Sequence, residues 1–173
     1  MSYREIAPLT LGELGPVCHN IAASYVNVLR RDGSPSLLTE GTPVKLKLTS
    51  IYVDDQGKAL RFYTDVLGFV PKADFSNDGY RWLTVGAPDN EDGIELQLAL
   101  NSNPAAQTYQ AAMFEQGQPA IMFYSDDLNA DYERIKAAGG MFTMEPTDVT
   151  ASSIATLNDT CGNLVQITQL KGW

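Results

Sequence analysis

Slid along itself by 72 positions, the chain lays IYVDDQGKALRFYTDVLGFV (51–70) without a gap on FYSDDLNADYERIKAAGGMF (123–142). Asp54 meets Asp126, Asp55 meets Asp127 and Gly68 meets Gly140. Each copy reads as a strand, an acidic helix cap, an amphipathic helix, a glycine and the start of another strand. A strand–helix–strand unit met twice in one chain points to a fold built by duplication.

The pattern of each copy predicts its local structure. From Lys45 to Val53, Thr49, Ile51 and Val53 point one way and Leu48, Ser50 and Tyr52 the other, by the period of two in a strand. The Asp pair that follows can accept the orphan amides of a helix and complement its dipole, which accounts for both carboxylates without a metal. That helix is expected over Gln56–Leu67, with Ala59, Leu60, Phe62, Tyr63, Val66 and Leu67 on its apolar face and Gly68 ending it. Strands follow at Phe69–Phe75, Tyr80–Val85 and Ile94–Leu100. The last alternates most clearly, Ile94, Leu96, Leu98 and Leu100 against Glu95, Gln97 and Ala99. Between the copies, Asn103 can cap a helix with Pro104 in its first turn and Gly117 at its end.

The second copy begins with Ile121 and Phe123 against Ala120, Met122 and Tyr124. Its helix carries Leu128, Tyr132, Ile135 and Ala138 inward and ends at Gly139-Gly140. Met141–Met144, about Ser153–Leu157 and Leu164–Gln169 supply its remaining strands. Asn158–Asn163 (NDTCGN) reads as a tight turn. Cys161 in that turn is expected to be a tolerated small residue, because no His of this domain can act as its base.

The first 43 residues differ from the rest. Pro16 can open a helix and Gly33 close it, with Val17, Ile21, Tyr25, Val28 and Leu29 at helical spacing between them. Asp32–Pro43 reads as a linker. The expected organisation is an N-terminal extension over 1–43 and a main domain over 44–173, its units at about 46–100 and 119–170. The only histidine, His19, lies in the extension, and a lone His there is expected to be structural or solvated. The formal charge of −9 and the absence of a basic tract exclude a nucleic-acid partner. No apolar run approaches the roughly 20 residues that span a bilayer. MSYREIAPLT lacks the pattern of a secretion signal, so the expected location is the cytoplasm.

Four segments carry a resemblance: ALRFYTDVLGF (59–69), RWLTV (81–85), GIELQL (93–98) and CGNLVQI (161–167). In that order and spacing they resemble the vicinal-oxygen-chelate superfamily, which includes glyoxalase I, extradiol dioxygenases, fosfomycin-resistance enzymes and bleomycin-binding proteins. The resemblance implies an α+β fold of two βαβββ units, whose curved mixed sheets enclose a cup. Enzymatic members hold a divalent metal there, with His, Gln or Glu ligands from the first and fourth strands of each unit. Carried over one at a time, those positions are Leu48, Glu95, Ala120 and Gln166. Leu and Ala have no donor atom, and a catalytic metal usually needs about three protein ligands. The expectation is therefore no metal and no other cofactor.

The cup-facing positions, by alternation, are Ser50, Tyr52, Trp82, Thr84, Gln97, Met122, Tyr124, Gln166 and Thr168, together with Glu95. Ser50, Tyr52, Trp82, Gln97, Met122, Tyr124 and Gln166 are candidate ligand-binding residues, and Glu95 is the one candidate catalytic residue. Rings, amides, hydroxyls and one carboxylate suit a small-molecule pocket. The same side chains would equally fill an interior or a subunit interface. The reading is a metal-independent small-molecule-binding protein, a homodimer as relatives commonly are. One alternative is a lyase or dioxygenase-type enzyme with a rearranged site around Glu95. The other is an interaction module with a filled cup.

Overall fold

Asp55 and Asp127, the second residue of each acidic pair, start the two repeated helices. Asp55 accepts from the amide of Lys58 at 2.7 Å, and Asp127 from that of Ala130 at 3.0 Å. The computed structural model that shows this describes residues 25–29, 35–39, 44–89 and 93–172, the first two stretches by their backbone alone. It divides into two units, Met1–Lys45 and Leu46–Trp173.

The first unit corrects one expectation. Most of the helix expected between Pro16 and Gly33, and His19 with it, lies outside the described residues. Its C-terminal part is instead a strand, β1 (Tyr25–Leu29), paired antiparallel with β2 (Pro35–Thr39) from the expected linker. One Tyr and two Val among the five residues YVNVL suit a pleat better than a helix, where such side chains lose rotamer freedom.

The second unit holds the repeat. Its first half is β3 (Leu48–Val53), α1 (Gln56–Arg61) with a π-helical turn (Phe62–Val66), β4 (Val70–Asn77), β5 (Tyr80–Gly86) and β6 (Glu95–Leu100). Helix α2 (Pro104–Glu115) leads to the second half: β7 (Pro119–Tyr124), α3 (Leu128–Ala137), β8 (Met141–Asp148), β9 (Ser152–Asn158) and β10 (Leu164–Leu170). The sheets run β3-β6-β5-β4 and β7-β10-β9-β8, each with its first and last strands parallel and the other pairs antiparallel. These are two βαβββ units in an α+β fold, as the repeat implied.

The halves differ by one residue. Gly68 has φ +88° and lies 13 residues after the cap Asp55, whereas Gly139 has φ +92° and lies 12 after Asp127. The π-helical turn absorbs the extra residue, with Leu67 N–H bonding to the Phe62 carbonyl five residues back. The widened turn buries the adjacent rings of Phe62 and Tyr63, which meet edge to face at 5.2 Å. So the sequence match of Gly68 with Gly140 is off by one for the backbone, and Gly139 takes the left-handed conformation.

The core lies between the helices and one face of each sheet. Ile51, Val53, Leu83, Val85, Leu96 and Leu98 meet Ala59, Phe62 and Tyr63, while Ala155, Leu157, Val165 and Ile167 meet Leu128 and Ile135. Burial of one such Leu or Val side chain contributes about 1.5–3 kcal/mol. The halves join through Phe69 and Phe123, edge to face at 5.0 Å, and through Arg134 of α3, which donates to the carbonyls of Val66 and Leu67.

A buried polar knot also joins them. In the NDTCGN turn, Asp159 accepts from the amides of Cys161 and Asn163 at 2.7 and 2.8 Å, and from Asn163 Nδ2 at 2.6 Å. The Tyr63 hydroxyl donates to it from the other half at 3.4 Å. Gln110 Nε2 of α2 reaches the carbonyls of Tyr52 and Cys161 and the Asn163 side chain, and Asn163 Nδ2 also reaches the Tyr52 carbonyl. Gly162 is pinned in this knot: its φ is +94°, and a Cβ there would lie 3.0 Å from Gln110 Nε2. Burial pushes the Cys161 thiol up to about 12 and leaves it an inert filler.

Burial also raises the Asp159 carboxyl, against the pull of its hydrogen bonds. The folded state therefore holds this proton to a higher pH than the unfolded chain does. Stability from this group is full below the ordinary carboxylate range and falls as pH rises through the folded value. Asp159→Asn is expected to lose about 2 kcal/mol through mismatched donors. Its deficit relative to wild type should be larger at pH 4 than at pH 7. Urea denaturation of both proteins at the two pH values checks this, and a deficit that grows with pH refutes it.

Candidate functional site

The opposite face of each sheet carries the polar and aromatic residues. In the first half, parallel register sets Leu48 beside Glu95 and Ser50 beside Gln97, and antiparallel register sets Thr84 beside Gln97. Ser50 Oγ donates to Gln97 Oε1 at 2.7 Å, and Gln97 Nε2 donates to the Tyr80 hydroxyl at 3.0 Å. Thr84, fully buried, takes the Ala73 amide on its oxygen at 3.1 Å and donates its hydrogen to Glu95 Oε2 at 2.6 Å. Glu95 is thus held in place by a hydroxyl. Arg81 points to the other face, bidentate on Asp74 at 2.7 and 2.8 Å. Trp82 stacks on Phe75 at 6.4 Å.

In the second half, Gln166 lies beside Met122 and Thr168 beside Tyr124. Gln166 Nε2 donates to Thr168 Oγ1 at 2.9 Å and lies 3.5 Å from Met122 Sδ. Met122 is 58% exposed and Tyr124 70% on this face, as Phe75 is 60% and Tyr80 57% on the first, whereas Gln97 is 8% exposed.

Two cavities run along the junction of β3 and β7. Ser50 and Tyr52 line one of about 120 Å³ with Ala120, next to α2. Leu46, Thr49 and Glu95 line another of about 510 Å³ with Ile121, Met122, Phe123 and Tyr124. Residues of both first strands therefore line each cavity together. Of the residues expected to bind ligand, Ser50 and Tyr52 line one cavity, and Met122 and Tyr124 line the other with Glu95, the candidate catalytic residue. Trp82, Gln97 and Gln166 line neither cavity.

As a donor set for a divalent cation, the four carried-over positions do not fit. Leu48 and Ala120 supply no donor atom. Glu95 accepts from Thr84, and Gln166 lies beside Met122 and shares no cavity with Glu95. Among the described residues, no group of three or more His, Cys, Asp or Glu could hold a metal ion.

Reasoning from sequence alone left several residues of this region out. Tyr80 and Phe75 belong to the open face, and Tyr80 was within reach of the alternation that gives Trp82 and Thr84. Tyr109, Gln110, Met113 and Phe114 line the smaller cavity, although the sequence marks α2 only as a connection. Nothing in its pattern marks an inward Gln110.

Comparison with known proteins agrees with this architecture. A family profile described as "Glyoxalase/Bleomycin resistance protein/Dioxygenase superfamily" matches residues 45–167. The uncharacterized protein YurT of Bacillus subtilis (strain 168) is 48% identical over 126 residues, 73% of this chain and 99% of the relative. A "Probable lactoylglutathione lyase" of Vibrio cholerae is 30% identical over 129 residues, 71% of this chain and 88% of the relative. Among solved structures, TnmS3, an antibiotic binding protein from Streptomyces sp. CB03234, superposes with a TM-score of 0.60 at 26% identity, over 76% of this chain and 100% of that one. Among the described residues, no helix is long and apolar enough to cross a membrane.

Proposed function

Because the chain belongs to the Glyoxalase/Bleomycin resistance protein/Dioxygenase superfamily, we propose that it acts as a small-molecule-binding protein of that superfamily without a resident divalent metal. One observation carries the reading. Glu95 stands at a family ligand position, fixed by Thr84, in a cavity of about 510 Å³ whose other lining side chains are uncharged. That volume exceeds the roughly 300 Å³ at which ligand sites begin, which disfavours a filled interior. A cationic or neutral aromatic ligand suits it, with Glu95 as counter-charge and Tyr124 as a ring to stack on. The likeness to an antibiotic-binding protein supports the same class of ligand.

A panel of aromatic cations and antibiotic natural products in a thermal-shift assay tests this. At 100-fold excess over its dissociation constant, a binder stabilises by about 2.7 kcal/mol, a readable shift of several degrees. Glu95→Gln can still accept from Thr84 and should fold normally. It should weaken a cationic binder by about tenfold, as expected for loss of a charged partner. No stabilisation of either protein by any compound sinks the reading.

The "Probable lactoylglutathione lyase" relative favours a second reading, an enzyme that uses Glu95 as a metal ligand or a general base. Metal analysis after metal-supplemented expression separates the two. The binding reading expects well under about 0.1 equivalent, whereas a bound catalytic centre needs about one.

We infer further that the open face meets a second copy of the chain. Tyr52, Phe75, Tyr80, Met122 and Tyr124 are all at least 43% exposed on it. Exposed apolar surface on one face marks interfaces or ligand grooves. Light scattering at two concentrations should give twice the mass of one chain, and a strictly monomeric mass defeats the inference.

A further inference from the structure

The smaller cavity, beside α2, differs in chemistry from the one around Glu95. Its main side chains are Ser50 and Tyr52 of β3, Tyr109, Met113 and Phe114 of α2, and Gln118 just beyond. None of the residues lining it is charged. A charged group entering it would lose hydration against no counter-charge, so an uncharged group is favoured.

The rings here are available. Phe62, Tyr63, Phe69 and Phe123 spend their ring faces on one another in the core. Tyr52, Tyr109 and Phe114 take part in no such pair among the described residues, and they are 43%, 57% and 37% exposed.

The polar groups divide in the same way. Ser50 is committed to Gln97, and the Gln110 amide donates to Tyr52, Cys161 and Asn163. The Gln118 side chain has only a 3.5 Å contact to the Gln116 carbonyl, and the Tyr52 and Tyr109 hydroxyls have no partner among the described residues. The free capacity is thus two phenols and one amide, all able to donate. The backbone of Tyr52 is clamped by Gln110 and Asn163, so this wall of the cavity is set before any ligand arrives.

Space limits the occupant to one ring. An apolar cavity of about 150 Å³ takes benzene, and this one measures about 120 Å³ with an open mouth on the face that carries Ser50 and Tyr52. We propose that the cavity between α2 and the β3–β7 junction is a subsite for an uncharged aromatic ring bearing an acceptor oxygen. Such a ring stacks on Tyr109 or Phe114 and takes hydrogen bonds from Gln118 or the phenols. The inference rests on the small-molecule reading and adds a neutral, α2-facing part to the ligand. Tyr52 and Leu48 are four residues apart on β3, so the ring and the group near Glu95 are separated by roughly 13 Å.

The test uses two probes on the full chain with methyl-labelled Met and ¹⁵N-labelled Gln side chains. Acetophenone, one uncharged ring with an acceptor oxygen, stands for the ring, and benzyltrimethylammonium for the cation. Acetophenone should move the Met113 methyl and the Gln118 amide resonances. Tyr109→Ala should weaken it at least about fivefold, in line with the worth of an aromatic contact. Phe114→Ala should weaken it too, whereas Glu95→Gln should leave it unchanged. Tyr109 is exposed on a helix surface, so its truncation to Ala leaves the core intact. Acetophenone shifts elsewhere, or binding by both α2 variants equal to that of wild type, overturn the subsite. Acetophenone binding at Met113 with no cation binding at Glu95 upholds the subsite and defeats the Glu95 reading. Glu95-dependent cation binding with Met113 unmoved defeats the subsite alone.

Discussion

One buried side chain, Gln110, holds the junction on which the open face depends. Its amide nitrogen donates to the carbonyls of Tyr52 and Cys161 and to the Asn163 side chain, and its oxygen accepts from Asn101. Those partners come from the first strand, the NDTCGN turn and the end of β6. Each carbonyl would cost about 1–3 kcal/mol if left buried and unpaired. The halves of a duplicated fold could otherwise slide on an apolar interface, because hydrophobic contact is not directional. A set of short polar contacts is directional. Beside it, Tyr52 and Ala120 line one cavity, and Leu46, Thr49 and Phe123 line the other.

Within that frame the halves have diverged in both backbone and side chains. The π-helical turn of the first half adds a residue that the second lacks, and the Tyr63 it buries is the group that reaches Asp159. The open faces diverge further. The first carries two hydrogen-bonded sets, Ser50–Gln97–Tyr80 and Ala73–Thr84–Glu95. On the second, Gln166 contacts Thr168 and Met122, and Met122 and Tyr124 are exposed as Tyr52, Phe75 and Tyr80 are on the first. The first face thus holds more of its polar groups in fixed directions, while the Met122 thioether of the second is adaptable.

The fold was readable because strand and helix periods and the two Asp caps are local signals. Glu95 and Thr84 share a face by simple alternation, and the structure agrees. The choice of Asp55 over Asp54, and of Gly139 over Gly140, was not readable, since it depends on the turn between cap and glycine. Gln110 was hidden for a related reason. A polar residue on a weakly patterned helix looks solvent-facing until the carbonyls it serves, those of Tyr52 and Cys161, are known to lie beneath it. The candidate site was legible by face and not by cavity: Trp82, Gln97 and Gln166 sit on the expected side, yet line neither end of the β3–β7 junction. Alternation fixes the side of a sheet, whereas the position of a cavity depends on how two sheets meet.

On the proposed metal-independent reading, Leu48 and Ala120 at two of the carried-over ligand positions change what Glu95 is for. Beside a divalent cation, a carboxylate is neutralised and its orientation is set by the metal. Without one, its charge must be balanced by hydrogen bonds, water or a guest. Here a buried threonine provides one strong hydrogen bond at 2.6 Å and fixes the rotamer, because its oxygen is already occupied by the Ala73 amide. The structure thus retains a pre-oriented negative charge at the edge of an otherwise uncharged cavity. A pre-oriented charge costs a cationic guest little to engage, since neither partner has to be ordered on binding. Leu48 beside Glu95 and Ala120 in the ring-lined cavity at α2 also bring no polar side-chain atom to either end, a distribution of chemistry that an elongated, amphipathic molecule would match on that reading.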